Sequence, residues 1–248
     1  MILKCQGSGT SREGEGRVIL ELHPDIRIER LAIGREQAPL LVIDNFVAEP
    51  ERLVSRAAKT QFGPGGRFYP GIRAKAPPSY EHFLATRLRP LLAEHFGMVC
   101  ESLRLSMCHY SLVTTPPAEL SLPQRLPHVD SFAPEGVATI HYLFKQNLGG
   151  TAFYRHRATG YEYLDESRRP AYSQALEAEC GGLDRPAAEY INGDTAIFEQ
   201  VARAESVFNR MLVYRRNSLH SGSIDRSFVP NPDPRTGRLS INSFIDPE

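Results

Sequence analysis

The second half of this chain alternates. Between Leu103 and Val113, the apolar Leu103, Leu105 and Met107 interleave with Arg104, Ser106 and Cys108. A period of two is the signature of a half-buried β-strand, because successive side chains leave opposite faces. Val137–Phe144 is a β-branched and aromatic run, and residues 196–201, 211–214 and 239–245 also read as strands. Gly149-Gly150, Asn192-Gly193-Asp194 and Asn231-Pro232-Asp233-Pro234 supply turn chemistry between them. Short strands with turns at this spacing argue for a double-sheet jelly-roll core.

We therefore expect a mainly β (α+β) architecture with a double-sheet jelly-roll core over residues 101–248. Thr151–Tyr154 reads as the hairpin partner of 137–144 across the Gly149-Gly150 turn. The first hundred residues differ. Residues 1–17 carry Gly7, Gly9, Gly14 and Gly16 among small and charged residues and are expected to be flexible. A strand pair is expected at 17–29 and 39–43, then a helix opening at Pro50 with Leu53, Val54 and Ala57 on its apolar face. Residues 61–78, rich in Pro and Gly, read as loop. Ser79 is a candidate cap for a helix whose Tyr80, Phe83, Leu84, Leu88, Leu91, Leu92 and Phe96 share one face, kinked at Pro90 and ended by Gly97. Thr159–Pro170 reads as a polar insertion, followed by a short helix at 171–180. The expectation is one compact domain over 18–248, with an α-rich support region (18–100) beside the β core.

Composition narrows the partners. The formal net charge is zero, and the 25 Arg and 4 Lys are scattered among acids, so neither nucleic acid nor an anionic membrane is expected as a partner. Four cysteines without a C-x-x-C spacing fit reduced thiols rather than a disulfide frame or a zinc cluster. The amino terminus lacks the apolar core of a signal peptide, and no run approaches the roughly 18 apolar residues of a membrane span. A cytoplasmic protein is expected.

The chemistry sits at Leu126-Pro127-His128-Val129-Asp130-Ser131-Phe132. In an extended segment His128 and Asp130 face the same way, which brings an imidazole and a carboxylate to one point. With 8 His and 9 Asp, about 0.3 such H-x-D pairs arise by chance, so the pair needs a third ligand before it means anything. His220 is the candidate, because the run from Arg210 to Ser221 could return beside the His128 segment. Two His and one carboxylate with open positions is the ligand set of non-haem Fe(II) oxygenases. Downstream, alternation puts Arg238, Ser240, Asn242 and Phe244 on one strand face and Leu239, Ile241, Ser243 and Ile245 on the other. A guanidinium opening an apolar strand is costly to bury without an anion, and its planar fork fits a carboxylate.

His128-x-Asp130, the distal His220 and Arg238-x-Ser240 together resemble the Fe(II)/2-oxoglutarate-dependent dioxygenases. Ile140–Phe144 leading into Gly149–Phe153 is similar to strands of their prolyl-hydroxylase-like branch. The resemblance covers about 106–244 and implies a double-stranded β-helix (jelly roll) core. It also implies that His128, Asp130 and His220 bind the iron. Arg238 then holds the far carboxylate of 2-oxoglutarate, helped by Ser240 and Tyr142, with Tyr110 a weaker contact. The implied reaction consumes O2 and 2-oxoglutarate, releases succinate and CO2, and hydroxylates a peptide side chain or an amino-acid-like substrate. The gaps before and after His220 are long for that branch, and the second makes Arg226 a rival to Arg238. Arg73, Gln124 and Arg155 lie on loops that could meet the substrate.

Two other classes compete. A zinc hydrolase could use the same three ligands but needs a general base, and no H-E-x-x-H segment supplies one. A metal-binding jelly-roll module without oxygenase activity is the third possibility.

Overall fold

The structure, a computed structural model, describes residues 20–182 and 186–248. The flexible segment expected at 1–17 lies outside the described residues.

Eleven strands form two antiparallel sheets among the described residues. The large sheet contains β1 (Arg27–Ile33), β2 (Ala38–Asp44), β3 (Gly63–Pro64), β4 (Gly71–Lys75), β5 (Leu103–Val113), β6 (Val137–Tyr142), β9 (Met211–Arg215) and β11 (Leu239–Pro247), in the order β1-β2-β9-β6-β11-β5-β4-β3. The small sheet has the order β10-β7-β8, from β7 (Gly150–His156), β8 (Phe198–Ala204) and β10 (His220–Ser223). Three α-helices flank them: α1 (Pro50–Ala57), α2 (Pro78–Phe96) and α3 (Arg169–Gly181).

Strand alternation sorts the side chains into two layers. Leu41, Ile43, Val213, Tyr110 and Ile241 leave the large sheet on the side covered by Leu53 of α1 and by Tyr80, Leu84 and Leu88 of α2, all buried. Leu40, Val42, Leu212, Tyr214 and Tyr142 leave it on the other side and meet Phe153 and Ala204 of the small sheet. Each fully buried aliphatic side chain contributes roughly 1.5–3 kcal/mol, so these two layers dominate the folding energy. Outside the small sheet, Tyr172 of α3 packs with Tyr154, Leu164 and Phe198.

A polar lock ties the helical layer to the sheet. His141 is fully buried, with Nδ1 3.0 Å from the Tyr80 hydroxyl and Nε2 3.1 Å from Asn209 Oδ1. The amide oxygen only accepts, so Nε2 donates to it and Nδ1 accepts from Tyr80. Asn209 completes the lock by donating to the Val47 carbonyl at 2.8 Å.

Four sequence expectations need correction. The first strand, expected at 17–29, spans Arg27–Ile33 instead. The Pro/Gly-rich stretch at 61–78 is not wholly loop: β4 pairs with β5, and β3 closes the edge. Its glycine serves close approach, since a Cβ at Gly71 would stand 2.1 Å from the Leu112 carbonyl oxygen. Ser79 does not cap α2; Pro77 is the extended N-cap and Pro78 takes the first turn, where a missing N–H is harmless. Residues 150–156 are not the hairpin partner of β6. The Gly149-Gly150 corner carries the chain into the other sheet, where β7 is the central strand. That corner demands glycine: Gly149 has φ +82°, and a Cβ at Gly150 would lie 1.9 Å from the Ala204 carbonyl oxygen. Alternation is local and carries no information about which sheet a strand joins.

Candidate metal centre

The segment holding His128 joins the end of β10. His128 and His220 form an antiparallel bridge, each amide donating to the other's carbonyl at 2.9 and 3.0 Å. Two residues on, the Asp130 amide donates to the Arg216 carbonyl at 2.8 Å, which fixes the extended backbone that aims both side chains of the H-x-D pair one way. One ligand atom from each of His128, Asp130 and His220 lies within 4.8 Å of the others. His128 Nε2 is 3.6 Å from Asp130 Oδ1, and His220 Nε2 is 3.5 Å from Asp130 Oδ2. The His128 side chain is 52% exposed, while those of Asp130 and His220 are 12% and 6% exposed, so the cluster opens to a ligand on the His128 side only.

The donor set fits a divalent cation. His220 Nδ1 is 3.0 Å from the Ser218 carbonyl, which only accepts, so that nitrogen carries the hydrogen. Nε2 then presents a bare lone pair toward a carboxylate oxygen. Two acceptors facing each other in a buried place are unfavourable unless a cation stands between them. Burial pushes the His220 imidazole down to about 4, against the pull of Asp130. Burial alone would raise Asp130, but His220, His128 and the Arg216 guanidinium outweigh it and hold the carboxyl below its usual value. Both groups are thus in the ligating state at neutral pH. Rings of Phe153 and Tyr214 pack around His220, at centroid separations of 6.5 and 4.7 Å.

These donors stand in the wall of a cavity of about 1010 Å³. Arg238, Ser240, Asn242 and Phe244 all line it, as the alternation of β11 requires, while Leu239, Ile241 and Ile245 face the helical layer. Arg238 is 6% exposed. Its Nε and Nη2 donate to the carbonyls of Leu148, Gly149 and Gly150 at 2.8–3.2 Å, and Phe144 lies beneath it at 5.5 Å. No acid pairs with it among the described residues. Ser240 Oγ is 2.7 Å from Asn242 Oδ1 and donates to it. Tyr142 lies behind the wall; its hydroxyl is 2.7 Å from Oγ1 of Thr151, and Thr151 lines the cavity.

Other expected residues fall elsewhere. Tyr110 is turned to the opposite face of β5, buried in the helical layer, where its hydroxyl donates to the Leu53 carbonyl at 3.0 Å. A one-residue step in a strand changes the face, and Ser111 rather than Tyr110 shares the side of the cavity. Arg226 is exposed and paired with Glu189 at 2.8 Å, away from the cavity lining. Arg155 is consumed in a buried ion pair with Glu162 and a second with Glu199. Gln124 and Arg73 do line the cavity.

Sequence reasoning missed Arg216. Its carbonyl anchors Asp130 and Ser131, its Nη1 pairs with Asp246 at 2.6 Å, and its guanidinium covers Phe244 at 4.5 Å. Nothing local marks it among 25 arginines.

Fold and site define a mainly β protein, two antiparallel sheets with helices outside, carrying a two-histidine, one-carboxylate cluster at a deep cavity. The chain belongs to the family of unknown function DUF6445, whose model matches residues 24–245. No curated protein matches the sequence. Among solved structures, HygX from Streptomyces hygroscopicus with nickel, 2-oxoglutarate and hygromycin B bound is similar at 15% identity and TM-score 0.49, over 86% of this chain and 87% of that one. AviO1 from Streptomyces viridochromogenes Tue57 is similar at 11% identity and TM-score 0.46, over 89% of each chain. The non-heme alpha ketoglutarate dependent epimerase SnoN from nogalamycin biosynthesis is similar at 12% identity and TM-score 0.43, over 81% of this chain and 70% of that one. No helix among the described residues is long and apolar enough to cross a membrane.

Proposed function

We propose that this protein is an Fe(II)/2-oxoglutarate-dependent oxygenase that oxidises a peptide side chain or an amino-acid-like substrate, most simply by hydroxylation, with release of succinate and CO2. The observation that carries the reading is the pairing of His128, Asp130 and His220 with a buried, acid-free guanidinium, Arg238, in the wall of one cavity. The fold reading is a double-stranded β-helix of the prolyl-hydroxylase-like branch. It is supported by the order β9-β6-β11-β5 in the large sheet and by the His128 segment bridged to β10 beside β7 and β8.

Charge supports the assignment. A ferrous ion with two neutral imidazoles and one carboxylate keeps a single positive charge. The two carboxylates of 2-oxoglutarate need two positive partners, and Arg238 is the second. Three backbone carbonyls hold its fork in place, so that little rotamer freedom is lost on binding. Ser240 offers a hydroxyl beside it, and Tyr142 positions Thr151 at the same wall. The apolar walls exclude water and so strengthen these contacts. When bound, the iron supplies O2 activation and the oxidative decarboxylation of the keto acid, while the protein orients and shields the reactants.

The hydrolase reading lacks its base. Among the described residues, the carboxylates lining the cavity are Asp130 and the exposed Glu177. The test is anaerobic addition of Fe(II) and 2-oxoglutarate to the purified protein. The visible metal-to-ligand charge-transfer band should appear, and on admitting air succinate should form. Absence of both the band and succinate would remove the oxygenase reading.

A further inference from the structure

The cavity holds a second guanidinium without an anion. Arg73, on β4, lies opposite Ser111 of β5, which lies opposite Ser240 of β11, so the three form one row across adjacent strands. Arg73 Nε donates to Ser111 Oγ at 3.2 Å, and Nη1 reaches only the weak acceptor Met107 Sδ at 3.6 Å. Its guanidinium carbon lies over the Tyr69 ring, 4.0 Å from the centroid. Nη2 makes no hydrogen bond among the described residues, and no acid pairs with the side chain there. Two strand spacings, roughly 10 Å, separate its backbone from β11. The two guanidiniums are held by different partners, Arg73 by Ser111 and Arg238 by the Leu148, Gly149 and Gly150 carbonyls, with Tyr69 in electrostatic reach of both, which gives the cavity two candidate anion positions.

Charge bookkeeping assigns the second position. On the reading proposed above, the ferrous centre and Arg238 balance 2-oxoglutarate completely. Arg67 also lines the cavity but is exposed, where solvent screens it, so Arg73 remains as the half-buried guanidinium with no acid paired to it among the described residues; burial lowers its pKa, against the pull of Tyr69 and Asp130. Asp130 is committed to the metal, and Glu177 is exposed, where solvent screens it. The remaining wall is mostly apolar, with Tyr69, Val113, Leu122, Leu176 and Ile224 among its residues and Phe68 exposed at its edge.

We propose that Arg73 is the substrate anchor, and that the substrate is a singly charged carboxylate with an apolar body. One half-buried guanidinium left over by 2-oxoglutarate matches one negative charge, and a planar fork matches a carboxylate. This rests on the oxygenase reading. Anchoring the acid end at Arg73 lays the apolar body along the cavity and presents one of its C–H bonds to the iron, with no covalent step at Arg73 itself.

The test is calorimetric titration of the anaerobic Fe(II)/2-oxoglutarate complex with decanoate, 4-phenylbutyrate and the primary amide of each. At least one acid should bind, at least tenfold more tightly than its amide. Arg73→Gln should erase that preference, and Arg73→Lys should restore part of it. Circular dichroism of each variant checks folding. The charge-transfer band, read in the same samples, reports separately on iron and 2-oxoglutarate. If the band forms but neither acid binds, or amides bind as well as acids, Arg73 is not the anchor. If Arg73→Gln abolishes 2-oxoglutarate binding instead, the roles of the two arginines are reversed and the proposal is overturned. If no band forms in the wild type, the oxygenase reading fails first.

Discussion

His128 and His220 are hydrogen-bonded to each other through their backbones, amide to carbonyl in both directions, and their rings lie 4.5 Å apart. The chain between them includes a whole sheet crossing and α3, yet the two imidazoles are placed by a single pair of backbone bonds. The backbone ladder thus fixes where the two imidazoles stand relative to each other.

Removing either imidazole separates binding from stability. His128→Ala removes a half-exposed ring and should change the stability of the metal-free protein by less than about 0.5 kcal/mol. His220→Ala opens a buried space beside Phe153 and Tyr214 and should cost about 2–4 kcal/mol. Both should lose Fe(II) binding. Chemical denaturation and metal titration on the same samples read the two effects apart.

The two candidate arginines should behave differently. Arg238→Gln is expected to weaken 2-oxoglutarate binding roughly 30- to 100-fold, about 2–3 kcal/mol for a charged partner in a buried setting. Fe(II) affinity should stay unchanged. Arg226→Gln removes an exposed pair with Glu189 and should leave 2-oxoglutarate binding unaltered. Titration of the keto acid against the charge-transfer band discriminates between them, and a loss at Arg226 would reverse the assignment.

Tyr110→Phe tests the face of β5. The hydroxyl holds the Leu53 carbonyl of α1 rather than the cosubstrate. The variant should lose about 1 kcal/mol of stability and keep both metal and 2-oxoglutarate affinity. A drop in 2-oxoglutarate affinity at unchanged stability would place the tyrosine at the site after all.

His141 predicts an acid-side loss of stability. Burial lowers it to about 4 in the folded protein, while the unfolded imidazole takes its proton near 6.5. Between those values the unfolded chain binds the extra proton, so stability rises with pH by about 1.4 kcal/mol per unit from this residue. The total is about 3 kcal/mol, lost as pH falls from 6.5 to 4. Urea unfolding across that range should show the slope, and His141→Gln should reduce it by one proton.

Much of this was legible in the residues, because the relevant information was local. A period of two fixed the faces of β11, and with them the placing of Arg238, Ser240 and Asn242 on one side. The H-x-D spacing fixed the common direction of His128 and Asp130 for the same reason. Tyr110, expected at the cosubstrate from the resemblance, stands in the helical layer instead: its strand is buried on both faces toward the end, and nothing in the sequence says which buried face meets helices and which meets the cavity.

What the sequence determined by itself was the kind of chemistry: a paired imidazole and carboxylate, a strand carrying a guanidinium, and a β-rich frame to hold them. The tertiary structure alone decided how His220, named from the sequence as the third member, is brought to the pair, which sheet β7 enters, and which arginines have no acid partner. Backbone pairing between distant segments settled each of those choices. Strand pairing is a long-range interaction whose partner is written in no single stretch of chain, whereas alternation, capping and ligand type are properties of neighbours.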